Sequence, residues 1–338
     1  MYDIITFGSA TQDIFLKSKS FLVKEEKKVF NQKELYVSLG SKIPVEEIDF
    51  LYGGGGANVA FTFKNQGFKV AYCGAVGKDL AGDEIKKRLT KKGISTDFLF
   101  FDKEKHTNYS VILATEDERT ILVYRGASET LANKNIPWGK LKAKWFYIAP
   151  LSGKLAGIWE KILKFAKKNK IKIAMNPGNT QLSLPKNRLK KLLNFADVLI
   201  LNQEEASLAT DLSYNKEKEI FKRLDEWVEG ICIMTKGPFG GVVSDGKYLY
   251  NYGVLKTKKI VDRTGCGDAF GSGFVTGLIK WSPKIEKKTY LNQIEYAIQF
   301  GSLNAVSCLQ IRGAQNGLLK KGEDIFKFGK VKIKKEKL

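Results

Sequence analysis

Val261-Asp262-Arg263-Thr264-Gly265-Cys266-Gly267-Asp268-Ala269-Phe270-Gly271-Ser272-Gly273-Phe274 joins a turn of small residues, a carboxylate and the start of an apolar run in one short segment. Past Asp268, the residues Ala269, Phe270, Phe274, Val275, Leu278 and Ile279 recur at helical spacing. The spacing predicts a helix whose N-terminus falls on Gly265 to Gly267, where unpaired N–H groups and the helix dipole favour a phosphate. Glycines let the backbone approach an oxyanion closely, and Asp268 beside it can take a proton from an attacking hydroxyl. The combination points to phosphoryl transfer to an alcohol. The same residues also suit a plain turn closed by an N-terminal helix cap.

A second glycine run, Leu51-Tyr52-Gly53-Gly54-Gly55-Gly56-Ala57-Asn58-Val59-Ala60-Phe61, precedes another apolar helix start. Asn58 falls in its first turn, with an amide and a carbonyl that can both bond a polyol. Read alone, the run also suits a turn that packs a helix closely on a strand. Together the two segments resemble the ribokinase-like, or PfkB, family of sugar and nucleoside kinases. That family carries an N-terminal diglycine motif ending in Asn and a C-terminal Asp-x-x-Gly-x-Gly-Asp motif, matched here by Gly53 to Asn58 and Asp262 to Asp268. Between them, Asn202-Gln203-Glu204-Glu205 is similar to its Asn-x-x-Glu motif and Thr235-Lys236-Gly237 to its nucleotide-binding turn. The resemblance covers roughly residues 3 to 318.

Composition bounds the class without choosing a function. The 338 residues, 43% hydrophobic, suffice for a large core. A net charge of +21 raises nucleic-acid or membrane-surface binding as an option. The lysines, however, spread over Lys24 to Lys33, Lys86 to Lys92, Lys161 to Lys172, Lys186 to Lys191 and Lys330 to Lys337, as solvated helix faces and a basic tail would. No nucleic-acid recognition motif accompanies them and no apolar run reaches the length that spans a bilayer, so neither a nucleic acid nor a membrane is expected as partner. Cys73, Cys232, Cys266 and Cys308 lack metal or redox spacing, and no secretory leader is evident, so a reduced, cytoplasmic protein is expected. With His106 as the one histidine, in a polar run, Ser-His-Asp chemistry and multi-His zinc sites have no material. Carboxylate must carry the proton.

Along the chain, Ile4 to Gly8 reads as a buried strand, placing Asp13 just past its end, where ligands of parallel sheets tend to bind. A solvated turn is the other reading of Asp13. Residues 14 to 50 and 98 to 125 interleave apolar and polar positions, Phe30 and Phe98 to Phe101 among them, and read as one small β-sheet lid with a hairpin turn at Thr115 to Arg119. Elsewhere strands (Val70 to Ala75, Trp145 to Ala149, Ile171 to Met175, Val198 to Leu201) alternate with helices (Leu80 to Lys92, Leu155 to Lys168). Val242-Val243 and the turn Ser244 to Tyr248 suggest an antiparallel addition at one edge, and Gly329 to Leu338 looks frayed. The expected fold is α/β, a ribokinase-like three-layer αβα sandwich with a mostly parallel central sheet and a small lid. One kinase domain over residues 1 to 330 and a basic tail from 331 to 338 are expected.

The resemblance implies the rest. Asp268 is the base and Gly265, Cys266 and Gly267 the anion hole; Asp13, Gly54, Gly55 and Asn58 bind the acceptor, a sugar or a nucleoside. Asn202, Thr235, Gly237, Arg263 and Asn304, the last near adenine, serve ATP. Glu205 orients Mg²⁺ through water together with Asn202, and some relatives imply a K⁺ site near Asp262 and Thr264. A homodimer through the lid is a further expectation. Asn202 to Glu205 equally suits an N-cap with an acidic first turn. Cys266 stands where the family usually has Ala, and Gly55 where ribokinases typically have Lys. Arg125 meets an acidic or phosphorylated sugar, or caps the lid hairpin. A P-loop lacks its lysine here, and a dinucleotide-binding oxidoreductase lacks its glycines after the first strand. A silent sugar-binding regulator would have no need of Asp268.

Overall fold

Apolar runs without alternation build the middle of one large sheet, because strands covered by helices on both faces bury every side chain. The computed structural model describes residues 1–25, 33–115, 119–257 and 259–338. Strands β1 (Tyr2–Phe7), β2 (Thr11–Lys17), β3 (Leu22–Glu25), β4 (Lys33–Tyr36) and β5 (Glu47–Gly53) lead to helix α1 (Gly55–Asn65). Then come β6 (Val70–Gly77), α2 (Leu80–Lys91), β7 (Ser95–Asp102), β8 (Asn108–Ala114), β9 (Arg119–Tyr124) and β10 (Ala143–Ile148). Helices α3 (Gly153–Gly157) and α4 (Trp159–Lys168), strand β11 (Lys172–Met175) and helices α5 (Asn179–Leu182) and α6 (Lys186–Leu193) follow. Next are β12 (Val198–Asn202), α7 (Gln203–Thr210), α8 (Glu217–Trp227) and β13 (Ile231–Thr235), and then the hairpin β14 (Gly241–Ser244) and β15 (Tyr248–Tyr252). Helices α9 (Cys266–Lys280), α10 (Pro283–Thr289) and α11 (Gln293–Leu309) and strand β16 (Ile333–Lys337) complete the chain.

The main sheet runs β16-β15-β14-β13-β12-β11-β10-β1-β6-β7, parallel from β13 to β7 and antiparallel at its β14 to β16 end. Helices cover both faces, giving the three-layer αβα architecture with one apolar core on each side. In α4, Trp159, Ile162, Leu163 and Ala166 are buried at one-turn spacing while its lysines face solvent. Asp79 caps α2 by accepting from the Gly82 N–H at 2.8 Å, an interaction worth about 1 kcal/mol. The chain leaves β1 for β6 on one side and returns to β10 on the other. This order reversal opens a crevice at the carboxyl ends of β1 and β10, the usual ligand position in such sheets.

A second sheet, β5-β2-β8-β9, stands apart from the first. Its pairing places Thr11 beside Asn108 and Asp13 beside Ser110, so alternate residues of β2 and β8 give one face a polar lining. Five expectations need correction. Among the described residues β3 and β4 pair only with each other, as a separate two-stranded sheet, so the lid segments do not form one sheet. Phe98 to Phe101 belong to β7, the edge of the main sheet, not to the lid. Asp13 lies inside β2, so it is neither past the end of β1 nor in a solvated turn; it is buried. The helix expected over Leu155 to Lys168 breaks at Ile158, after Gly157. The tail does not fray: Ile333–Lys337 pairs with β15, and Lys335 lies 4.0 Å from the Tyr248 ring centre. Phe30 and the hairpin tip at 116–118 lie outside the described residues.

Candidate active site

Helix α9 is seated by its glycines. A Cβ on Gly273 would come within 2.9 Å of the Gly301 Cα on α11, so side chains there would force the helices apart. This close crossing fixes the N-terminus of α9 beside the crevice. Gly265 caps it in the left-handed region, φ +75°, where a side chain would also collide with Ala314. The first-turn N–H groups then lack carbonyls one turn back; that of Cys266 makes only a long 3.4 Å bond to the Arg263 carbonyl.

Asp268 sits in that turn. Its Oδ2 accepts from the Asn58 amide at 2.8 Å, and Asn58 Oδ1 accepts from Gln315 at 3.3 Å. Asn58, expected to bond a polyol, is buried in the wall of a cavity with its amide on Asp268 and its carbonyl oxygen on Gln315. Burial pushes the Asp268 carboxyl up, and the Asn58 hydrogen bond partly offsets this. Burial likewise raises Asp13 to about 6, helped by the charge of Asp262 and opposed by the Ser110 hydroxyl. Glu205 is raised by burial, against hydrogen bonds from the Asn202 N–H and Asn176, with Asp268 adding a repulsive charge.

Two adjoining cavities, about 170 and 240 Å³, share Ser9, Gly55, Arg125 and Asp268 in their walls. The first extends along Pro150, Leu151 and Ser152 after β10; the second runs under the small sheet past Asp13, Asn58, Asn108 and Ser110. Gly54, in the left-handed region at φ +92°, and Gly53 let the chain pass Ser9 and Asp13 at close range. Gly56 packs on Gly8, where a Cβ would lie 2.8 Å from backbone.

The small sheet is tied down at two points. Arg119 at the start of β9 meets Asp262 at 3.3 Å, and Arg312 pairs with Glu47 at 3.0 Å and with Asp49. Asp262 also accepts the Thr264 and Gly313 N–H groups at 2.8 and 2.9 Å. The Thr264 hydroxyl is buried with no partner among the described residues.

Asn202, Thr235 and Gly237 gather at the carboxyl ends of β12 and β13, Asn202 opposite Thr235 in register. Asn202 and Glu205 form a reciprocal cap of α7, at 2.8 and 2.9 Å, so the capping role read from the sequence is present. Arg263 is exposed on the loop before α9. Asn304, expected near adenine, lies inside the packing of α11. It is fully buried; its amide donates to Thr62 and the Ala269 carbonyl, and its Oδ1 accepts from the Leu319 N–H, which ties α11 to α1 and α9. Ser9, Asn108, Ser110, Ser128 and Gln315 were not singled out from the sequence. Only the even spacing of Asn108 and Ser110 along a strand signalled a shared face.

The sequence pattern of the pfkB family carbohydrate kinases matches residues 6–321. A ribokinase of Haemophilus influenzae is 26% identical over 288 residues, spanning 82% of this chain and 88% of that protein. A nucleoside kinase of Methanocaldococcus jannaschii is 25% identical over 256 residues, spanning 75% of this chain and 80% of its own length. In fold, the solved structure of Arabidopsis thaliana ribokinase complexed with ribose and ATP superposes with a TM-score of 0.75 at 20% identity, covering 97% of this chain and 98% of the other.

Proposed function

The chain belongs to the pfkB family of carbohydrate kinases, and from that premise we propose that it moves the γ-phosphate of ATP to a hydroxyl, preferably a primary one, of a sugar bound under the small sheet. The observation that carries the proposal is Asp268. It is a carboxylate at a helix N-terminus, aimed by Asn58 at 2.8 Å and facing a cavity lined by glycine and hydroxyl groups.

Asp268 takes the hydroxyl proton as the oxygen attacks phosphorus. The new O–P bond forms, the bond to the β-phosphate oxygen breaks, and ADP leaves. N–H groups of Gly265, Cys266 and Gly267 meet the charge on the transferring group, a field already in place before reaction. Asp13, Gly54 and Gly55 hold the acceptor, and Thr235, Gly237, Asn202 and Arg263 attend the nucleotide. Glu205 fits a divalent cation held through water. It is a half-buried carboxylate that the Asp268 charge repels, and a cation relieves both. When bound, Mg²⁺ neutralises phosphate charge. The Thr264 hydroxyl, with no partner among the described residues, supports a monovalent cation nearby, with the Arg119 guanidinium already on Asp262 as its competitor. The small sheet acts as a lid that excludes water. The exposed Ile48, Phe50, Ile121, Leu122 and Val123 on it support pairing of two chains through it.

A nucleoside acceptor is the second reading, favoured by Tyr124 in the wall of the second cavity. ADP release from MgATP over a panel of sugars, sugar acids, sugar phosphates and nucleosides, with and without K⁺, tests both. Release that depends on the acceptor supports the proposal; release no faster than with water alone removes it.

A further inference from the structure

We propose that the acceptor carries an anionic group, a carboxylate or a phosphate, which Arg125 holds while the reacting hydroxyl lies at Asp268. This deepens the kinase reading and rests on it.

Arg125 follows β9 directly and lines both cavities, and among the described residues it is the one cationic side chain in the walls of either. Its backbone is fixed from below. The Arg125 carbonyl accepts from the Ser128 hydroxyl at 2.8 Å, and Ser128 in turn binds Asn108 through its hydroxyl at 2.7 Å and its N–H at 3.0 Å. Ser128 and Asn108 are buried, so the residue is mounted on a satisfied polar network. The guanidinium itself is different. Among the described residues it takes part in no hydrogen bond or ion pair, although Arg119 and Arg312 are both paired with carboxylates. It therefore does not cap the hairpin, the other role open to it from the sequence.

Charge then orients the acceptor. Asp13 and Asp268 lie along the same walls, so an anionic substituent is repelled from the glycine end and attracted to the Arg125 end. A guanidinium presents a planar fork that suits a carboxylate or phosphate with two parallel hydrogen bonds. The reacting hydroxyl stays at Asp268, where no cation competes for it. Balance is unaffected, since the anionic group neither gains nor loses atoms or electrons during transfer.

The test measures ADP release at saturating MgATP with acceptor pairs that differ in one acidic group: ribose and ribonate, glucose and gluconate, fructose and fructose 6-phosphate. Wild type, R125A and R125K are compared, and binding of the same compounds is followed by calorimetry. The acidic members should exceed their neutral partners in kcat/KM by at least about tenfold, and R125A should remove that preference through the acceptor KM. R125K should restore part of it. Gluconate and ribonate against fructose 6-phosphate decide between carboxylate and phosphate. A preference for neutral acceptors, or an R125A effect confined to the KM for ATP, overturns the proposal and leaves the kinase standing. If no acceptor yields ADP, the kinase reading fails, and binding decides the anion subsite: acidic compounds that bind wild type no more tightly than R125A overturn it.

Discussion

Gly55→Ala separates the acceptor site from the fold. Gly55 is the first residue of α1, and its φ is not in the left-handed region. A Cβ there would stand 3.5 Å from Asp268 Oδ1 and from Pro150 Cδ, and 3.1 Å from the Ala149 Cβ. Only the Ala149 contact is tight, and it asks for a shift of a few tenths of an ångström. The helix preference for Ala over Gly, up to ~1 kcal/mol, opposes that cost, so stability should change by less than ~1 kcal/mol. The methyl group, however, occupies the space beside the base where the hydroxyl must approach. Displacing a reacting atom by ~1 Å can cost ~10²-fold in rate, so kcat/KM for the acceptor should fall by about that factor. The neighbouring Gly56→Ala is the contrast, because its Cβ meets the Gly8 backbone at 2.8 Å and must damage the fold itself. Coupled ADP assays with thermal melts on both variants read the two effects. A Gly55→Ala enzyme with an unchanged Tm and unchanged kcat/KM would show that no acceptor sits between Gly55 and Asp268.

Asp13 links the pocket to pH. Its folded value near 6 lies above the ordinary 3.8, so its contribution to stability is fully present below pH 3.8 and is lost as pH rises through 6. Asp13→Asn, neutral throughout, should therefore be the more stable protein near neutral pH, by up to ~3 kcal/mol, with the gain vanishing at about pH 4; a gain independent of pH in thermal melts counts against the burial argument. Among the cysteines Cys266 alone is not buried, so iodoacetamide should block activity through it and MgATP should protect; continued inactivation of Cys266→Ala would point elsewhere. Arg312→Ala should speed amide exchange in β5 and raise the acceptor KM while costing ~1 kcal/mol or less per lost pair. Unchanged exchange in Glu47–Gly53 would mean the pairs do not hold the small sheet.

What the sequence made legible is what local pattern encodes. The start of α9 was legible because glycines and an aspartate at the head of an apolar run mark a helix N-terminus, whether that terminus serves as a plain cap or as an anion site. β6 and β12 were legible because uninterrupted apolar runs belong to covered parallel strands. The rest depended on partners distant in the chain. Asn304 resembles any polar residue on an apolar helix until α1 and the Leu319 N–H close around it. Ile333–Lys337 reads as a charged tail because its strand pairing, and the place of Lys335 over Tyr248 and Tyr250, exist only once β15 is beside it. Phe98 to Phe101 is an uninterrupted Phe-Leu-Phe-Phe run, the pattern of a strand covered by helices, and it belongs to β7 at the edge of the main sheet although the lid strands follow directly after it. The tie between Asn58 and Asp268 spans 210 residues, and no spacing could have shown it.

The most direct measurement compares wild type with Asp268→Asn, following acceptor-dependent ADP release with MgATP alongside calorimetric binding of the acceptor. The account predicts acceptor-dependent release by wild type and a loss of ~10²–10⁴-fold in the variant with acceptor affinity nearly kept. Turnover by Asp268→Asn close to the wild-type rate would contradict it.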